Sequence, residues 1–131
     1  MTEHIKIEKS DGILSLTMAR PDKKNALTNA MYGALADAME AAESDPAVRV
    51  LLIRGEGDMF TAGNDVGEFA AMATGSFRAE PHVGRFLQAL TQSSRPLIAI
   101  WADAGAASAT SAAGTRASLK NFIGLSPSCD E

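Results

Sequence analysis

Alternating apolar and polar residues open the chain and predict a β-hairpin. Apolar side chains recur at every second position in residues 4–9, around Ile5 and Ile7, and again in residues 12–18. This alternation is typical of strands with one buried face. Asp11-Gly12 lies between the two runs, and a dipeptide of this kind favours the tight turn of a hairpin.

The hydrophobic spacing then changes from two residues to the three or four of an amphipathic helix. Thr28 is a favourable N-cap, and the helix that it starts is predicted to run to about Ser44, where Asp45-Pro46 ends it. One face of this helix carries the apolar residues Met31, Leu35, Ala38, Met39 and Ala42.

Two further strands and two further helices are predicted beyond this point. The apolar run in residues 48–54 is typical of a strand buried on both faces, and residues 97–101 form a second such run after Arg95-Pro96. A short helix is predicted from Asp65 to Met72, and residues 73–81 are predicted to be a surface loop. A second amphipathic helix is predicted from the stripe Val83, Phe86, Leu87 and Leu90. Strands that alternate with helices indicate an α/β fold with right-handed crossovers.

Composition narrows the class of protein without identifying it. The 131 residues suit one modest domain, with 46% apolar and 21% charged residues. A net charge of −4 argues against general binding to nucleic acid or to anionic membranes. The single cysteine, Cys129, allows no disulfide framework and no metal cluster. We find no membrane-spanning run and no signal peptide, and we therefore expect a cytoplasmic protein. We find no metal-ligand spacing either, and we expect no metal.

The glycine-rich turn in residues 55–66, GEGDMFTAGNDV, is the candidate for chemistry. Small residues allow a ligand to approach the backbone, and backbone N–H groups left unpaired at such a turn can form an oxyanion hole. The alternative is a strand-to-helix turn without chemistry, which is common. A dinucleotide-binding fingerprint fits poorly, because Phe60 stands where its third glycine belongs.

Three stretches, taken together and in this order, resemble the crotonase superfamily, also called the enoyl-CoA hydratase/isomerase family. The stretch from Arg20 to Leu27 is similar to its RPxxxNAL turn. Residues 50–65 are similar to its strand that leads into F-[ST]-A-G-x-D. Residues 95–99 are similar to its strand KP-[VLI]-IAA. The resemblance covers about residues 5–100 and implies an α/β crotonase-like ββα spiral.

The resemblance also implies a substrate and a mechanism. It implies acyl-CoA thioesters, with coenzyme A as part of the substrate and no other cofactor, and assembly into trimers or hexamers. In the family, two backbone N–H groups stabilise the thioester enolate, each contributing roughly 3 kcal/mol. Asn64 corresponds to the residue that provides the first of them. The implied substrate and CoA contacts are Lys24, Ala26, Leu27, Ala62, Gly63, Asn64 and Asp65.

Charged residues in these motifs admit two interpretations each. Asp65 corresponds to the aspartate of the family motif, and we interpret it as a helix cap in preference to a chemical group. Arg20, Lys23 and Lys24 are candidates for CoA phosphates or are solvated surface charges. Glu68 faces either the acyl pocket or solvent, with solvent favoured. We interpret His82 as an ordinary surface residue.

Beyond Trp101 the sequence departs from the family pattern. The second N–H donor is expected near Ala107 or Ser108, and the glutamate of hydratases has no counterpart there; Asp130 and Glu131 are the acidic residues at the chain end. We therefore divide the chain into a crotonase-like core, residues 1–101, and an Ala/Ser/Gly-rich tail, residues 102–131, which a frameshift or an internal deletion would explain. The expected function is that of an acyl-CoA hydratase/isomerase family protein. The alternatives are a non-catalytic acyl-CoA-binding module and an inactive fragment.

Overall fold

A computed structural model describes residues 2–101 of the chain, the last of them by its backbone alone. The elements follow the predicted order of hairpin, helix, strand, helices and strand. The strands are β1 (Ile5–Ser10), β2 (Ile13–Met18), β3 (Val50–Gly55) and β4 (Leu97–Trp101). The helices are α1 (Asn29–Glu43), α2 (Val66–Ala73) and α3 (Val83–Gln92), and a 3-10 turn spans Pro21–Lys23.

The four strands form one sheet in the order β1-β2-β3-β4. Strands β1 and β2 are antiparallel, and the turn between them places Asp11 at φ 54° and Gly12 at φ 81°. Both values are those of the predicted tight hairpin turn. Strands β2 and β3 are parallel, as are β3 and β4, with Ile53 opposite both Leu16 and Ala99. The predicted α/β class is therefore confirmed.

The core lies between one face of this sheet and helix α1. Leu16 of β2 and Leu51 of β3 are fully buried there. Helix α1 begins after the N-cap Thr28, whose hydroxyl accepts a hydrogen bond from Met31 N, as predicted. Its buried face includes Met31, Leu35, Met39 and Ala42, with Ala38 partly buried against them.

Helix α3 packs against the same core. Val83, Phe86 and Leu90 contact it, together with Ala89. Leu87, in contrast, is 54% exposed, and its assignment to the buried stripe was wrong. No helix within residues 2–101 has both the length and the apolar character that crossing a membrane requires.

The prediction that β3 is buried on both faces was also wrong for the part of the chain that the structure describes. Leu51 and Ile53 are buried, whereas Leu52 is partly exposed and Arg54 is exposed. Helices α1 and α3 both pack on the face that carries Leu51 and Ile53. On the opposite face the Arg54 Nε donates a hydrogen bond to the Thr17 Oγ1 at 3.0 Å.

Candidate functional site

The two motif segments that the sequence separates lie side by side at one edge of the sheet. Met18 and Gly55 are paired at the carboxyl ends of the parallel strands β2 and β3, so the chain leaves both strands at the same edge. The segment 24–27 then runs parallel to the segment 62–65. Leu27 N donates to Gly63 O at 2.8 Å, and Ala62 N donates to Lys24 O at 2.9 Å. All seven predicted site residues belong to these two segments.

This pairing leaves the amide N–H of Asn64 facing away from the segment 24–27. Leu27 bonds with both neighbours of Asn64, because its N–H donates to Gly63 O and its carbonyl accepts from Asp65 N at 2.9 Å. In a parallel ladder the residue between two such bonds directs its own N–H to the other side. Within residues 2–101, the Asn64 N–H donates no hydrogen bond. It is therefore available to an acceptor from outside the described chain.

Asn64 also lines a cavity of about 220 Å³. Apolar side chains form most of its wall, and Asn64, Asp65 and Leu27 are the predicted site residues that line it. Lys24, Ala26, Ala62 and Gly63 lie outside its lining among the residues described. The full lining consists of Leu27, Asn29, Tyr32, Asn64, Asp65, Glu68, Phe69, Met72, Pro81 and Val83.

Asn25, a residue that sequence reasoning did not single out, holds the two segments in place. Its side chain is fully buried. The amide nitrogen donates to Glu56 O at 2.9 Å and to Met59 O at 2.7 Å, and the amide oxygen accepts from Arg20 N at 2.9 Å. Its backbone lies at φ 55°, which asparagine tolerates better than most residues. The N of the RPxxxNAL motif therefore organises the turn from its interior.

A close backbone approach explains the first glycine of the glycine-rich turn. An added Cβ at Gly55 would lie 2.4 Å from Met59 O and 2.5 Å from Phe60 O. The loop therefore folds back directly over the end of β3. Gly63 has another reason to be glycine, since it lies at φ 92° with open space around it.

Asp65 caps helix α2 and also closes an ion pair. Its carboxylate accepts from Glu68 N at 3.0 Å, as the predicted cap requires, and from the Arg20 guanidinium at 2.7 Å. These two hydrogen bonds, that of Glu68 N first, hold the pKa of Asp65 below its ordinary value. Arg20 also donates to Ala26 O at 3.1 Å. Arg20 thus joins the two motif segments. Its side chain, which the sequence suggested as a contact for CoA phosphates, has a structural role here.

Glu68 lines the cavity, so the solvent-facing interpretation that we favoured for it was wrong. Its carboxylate accepts a hydrogen bond from Asn29 N in the first turn of α1. The Asn29 side chain in turn bonds with Glu80 O at 2.9 Å and His82 N at 2.7 Å. Through Asn29, therefore, α1 holds both α2 and the segment before α3.

Tyr32, like Asn29, is a further site residue that sequence reasoning missed. Its ring is buried and packs against Phe86, with the ring centroids 5.4 Å apart. Its hydroxyl donates a hydrogen bond to the Asn64 Oδ1. Burial raises the pKa of Tyr32. The sequence feature that could have pointed to Tyr32 is a tyrosine one turn after the N-cap of α1, among apolar residues.

The remaining candidates have the following positions. Lys23 and Lys24 are exposed, Ala26 is partly exposed, and Lys24 has φ 53°. His82 is partly exposed, and its imidazole lies against Gly33, where an added Cβ would be 3.0 Å from the His82 Cδ2. Ala107, Ser108, Asp130 and Glu131, like the whole predicted tail, lie outside the described residues.

Among residues 2–101, no group of three or more His, Cys, Asp or Glu residues is placed to hold a metal ion.

Comparison with known proteins agrees with these motifs. The sequence model of the enoyl-CoA hydratase/isomerase family matches residues 8–113. The chain belongs to this family. The match includes the turn, strands β2 to β4 and the cavity lining described above.

Individual relatives cover parts of the chain. The chain is 38% identical over 65 residues to hydroxycinnamoyl-CoA hydratase-lyase from Pseudomonas fluorescens, which is 50% of this chain and 24% of that protein. It is 35% identical over 95 residues to 2,3-dehydroadipyl-CoA hydratase from Escherichia coli, which is 71% of this chain and 36% of that protein. The chain thus spans about a quarter to a third of the length of these two relatives.

Solved structures place the fold in the same family. The structure of OdaA from Pseudomonas aeruginosa is similar with a TM-score of 0.66 and 44% identity, over 75% of this chain and 39% of that one. An enoyl-CoA hydratase/isomerase from Pseudoalteromonas atlantica is similar with a TM-score of 0.67 and 36% identity, over 74% of this chain and 37% of that one. The crotonase-like fold of the described part is therefore established.

Proposed function

We propose that the chain binds an acyl-CoA thioester and that the Asn64 N–H polarises its carbonyl, in a reaction of the enoyl-CoA hydratase/isomerase type. The observation that carries this proposal is the Asn64 N–H, which donates no hydrogen bond within residues 2–101 and belongs to a residue that lines a largely apolar cavity. Family membership supplies the thioester as the chemical class, and both curated relatives named above are CoA-ester enzymes by name.

The chemistry follows from where charge develops. When a thioester is converted to its enolate, negative charge moves onto the carbonyl oxygen. A fixed N–H donor near that oxygen stabilises the charged state more than the ground state, by roughly 3 kcal/mol for one donor. The donor belongs to the backbone, so it is present although this chain has Asn64 at a motif position where a smaller residue is usual. The second donor of the family is proposed near Ala107 or Ser108.

The coenzyme A part of the substrate is proposed to contact the segments 24–27 and 62–65. Lys24 and Ala62 are both exposed, and the hydrogen bond from Ala62 N to Lys24 O holds them next to each other. An exposed lysine supplies a positive charge for phosphate, and the backbone around Ala26 is proposed to contact the adenine. Leu27 and Asp65, which line the cavity, then hold the acyl end of the site, and Gly63 contacts the substrate from outside the lining. Coenzyme A enters as part of the substrate, and no cofactor is proposed.

Titration with crotonyl-CoA tests this proposal. Isothermal calorimetry of the full chain compares crotonyl-CoA with free coenzyme A, because only the former offers a thioester carbonyl. The thioester is expected to bind more tightly. The loss of the enoyl thioester absorbance measures turnover in the same samples. An absence of crotonyl-CoA binding would overturn the proposal.

Two substitutions at Asn64 separate the backbone N–H from the side chain. Asn64→Ala keeps the N–H, whereas Asn64→Pro removes it at a position where residues 2–101 offer it no partner. Asn64→Pro is expected to lose the preference for thioester over free coenzyme A, about tenfold for one hydrogen bond, while Asn64→Ala keeps it. Thermal unfolding by circular dichroism checks that both variants fold. Equal preference in the two variants would exclude this N–H as the donor.

We also propose a homo-oligomer, a trimer or hexamer, located in the cytoplasm. The support is the exposed apolar surface of α2, where Val66 is 80% and Phe69 is 60% exposed. Sedimentation equilibrium of the full chain measures the mass. A monomer at all concentrations would contradict the assembly.

A further inference from the structure

Asn64 carries a group that competes with its own function as a donor. An asparagine side chain readily accepts hydrogen bonds from its own or neighbouring backbone N–H groups. In Asn64 the acceptor Oδ1 and the proposed donor N–H belong to one exposed residue. A free carboxamide at this position would therefore occupy the N–H that the thioester carbonyl needs.

The structure shows the Oδ1 of this side chain engaged elsewhere. The Tyr32 hydroxyl donates a hydrogen bond to the Asn64 Oδ1. Tyr32 comes from α1, where it is 9% exposed and packs against Phe86 at a ring-centroid distance of 5.4 Å. Because burial and the contact with Phe86 both hold the ring, the hydroxyl has a fixed position in the cavity wall.

We propose that Tyr32 is a positioning residue that withholds the Asn64 Oδ1 from the backbone and so keeps the Asn64 N–H open for the thioester carbonyl. This inference rests on the proposed function. Tyr32 acts through Asn64 and requires no contact with the substrate.

The local backbone restricts the effect to the side chain. The peptide between Gly63 and Asn64 is held on its oxygen side by Leu27 N at 2.8 Å, and Asp65 N is held by Leu27 O at 2.9 Å. Neither of these bonds involves Tyr32. Loss of the hydroxyl therefore releases the carboxamide and leaves the turn itself in place. Since burial raises the pKa of Tyr32, the hydroxyl remains a donor throughout the neutral range.

A double-mutant cycle with crotonyl-CoA tests the inference. Tyr32→Phe keeps the ring and is expected to weaken crotonyl-CoA binding about three- to tenfold, the effect of one competing hydrogen bond, with little change for free coenzyme A. In the Asn64→Ala background, which lacks the competing Oδ1, Tyr32→Phe is expected to change the affinity less than twofold. A loss of equal size in both backgrounds would overturn the inference.

A matched control separates positioning from packing. Phe86→Leu disturbs the ring contact of Tyr32 and keeps its hydroxyl. It is expected to lower the unfolding temperature while the crotonyl-CoA affinity changes by less than in Tyr32→Phe. A loss of affinity in proportion to stability across all variants would show a merely structural role.

A second readout needs no ligand. The temperature coefficient of the Asn64 amide proton, measured by NMR, reports whether that N–H is hydrogen-bonded within the protein. We expect a solvent-exposed amide in the native chain and an internally bonded one in Tyr32→Phe. If the native chain fails to bind crotonyl-CoA, the proposed function fails, and this measurement still decides the positioning role. An unchanged coefficient would refute that role.

Discussion

At the scale of single residues, the site depends on one buried asparagine more than on any charged group. Asn25 satisfies two carbonyls and one N–H from three separate positions of the chain, Arg20, Glu56 and Met59, while its own side chain is fully buried. Removing a buried partner leaves the remaining groups without hydrogen bonds, which is costlier than the bonds themselves.

Asn25→Ala is therefore expected to lower the free energy of unfolding by about 3 kcal/mol, since each buried group left unsatisfied costs roughly 1–3 kcal/mol. Urea unfolding followed by circular dichroism measures the change. The control is Lys23→Ala, an exposed residue two positions away, which should change stability by less than about 0.5 kcal/mol. Similar values for the two variants would contradict the organising role of Asn25.

The Asp65 carboxylate is expected to make stability depend on pH. Its pKa is lower in the folded chain, because Glu68 N and Arg20 stabilise the charged form. The stability that it contributes is thus fully present at neutral pH and is lost as pH falls through the folded pKa. The difference in unfolding temperature between the native chain and Asp65→Asn should be constant from pH 7 to about pH 5 and shrink below about pH 4. A difference that does not depend on pH would exclude ionisation of Asp65 as its cause.

The sequence predicted the local features of the turn better than the contacts between distant segments. The cap Asp65 was predicted correctly, because helix capping is local in sequence. Tyr32 and Glu68 were missed or misassigned, because their partners, Asn64 and Asn29, are distant in the chain. The solvent-facing interpretation of Glu68 rested on what is usual for a charged residue on a helix. Its actual position depends on the first turn of α1, where Asn29 N donates to its carboxylate.

At the scale of elements, the end of β3 and the loop that follows it form one tightly packed unit. Gly55→Ala would place a Cβ 2.4 Å from Met59 O, within backbone that cannot move away without displacing the loop. We expect a loss of at least about 2 kcal/mol in unfolding free energy, as for an overpacked core position, together with weaker crotonyl-CoA binding, because the same loop carries Asn64.

Gly84→Ala is the matched control for this substitution. Gly84 is the second residue of α3, and an added Cβ there meets no atom within 4 Å among the residues described. Alanine has the higher helix propensity, so this variant should be more stable by up to about 0.5 kcal/mol, less than in a helix interior. Differential scanning calorimetry of both variants measures whether each substitution raises or lowers the unfolding temperature. Stabilisation of both would show that the loop does not pack over Gly55 as described.

The existence and order of the elements and the buried face of α1 were predictable from the sequence, but the exposure of one face of β3 and of part of α3 was not. Alternation and helical spacing indicate a buried side and cannot show what covers the other side. Hence Arg54 and Leu87 are exposed although each lies in a run that predicted burial. Helices α1 and α3 occupy the same face of the sheet, a fact of tertiary packing that no local pattern records.

At the scale of the whole molecule, stability is distributed unevenly around the site. Helix α1 supplies fully buried residues such as Met31 and Leu35, whereas α2 has none. Segments with few buried apolar side chains open at low free energy. The proposed donor Asn64 thus lies on the boundary between a rigid helix and one held mainly by the Asp65 cap and by Glu68.

Hydrogen exchange should show this boundary directly. Amides in α1 and in the central strands are expected to exchange about tenfold or more slowly than those of α2, because they open only with the core. Crotonyl-CoA should slow exchange in α2 most of all, since Phe69 and Met72 line the cavity and the acyl group would bury them. Exchange in α1 should change little on binding. Equal protection of α2 and α1 without ligand would contradict the uneven stability. Slower exchange in α1 alone on adding crotonyl-CoA would show that the acyl group does not occupy this cavity.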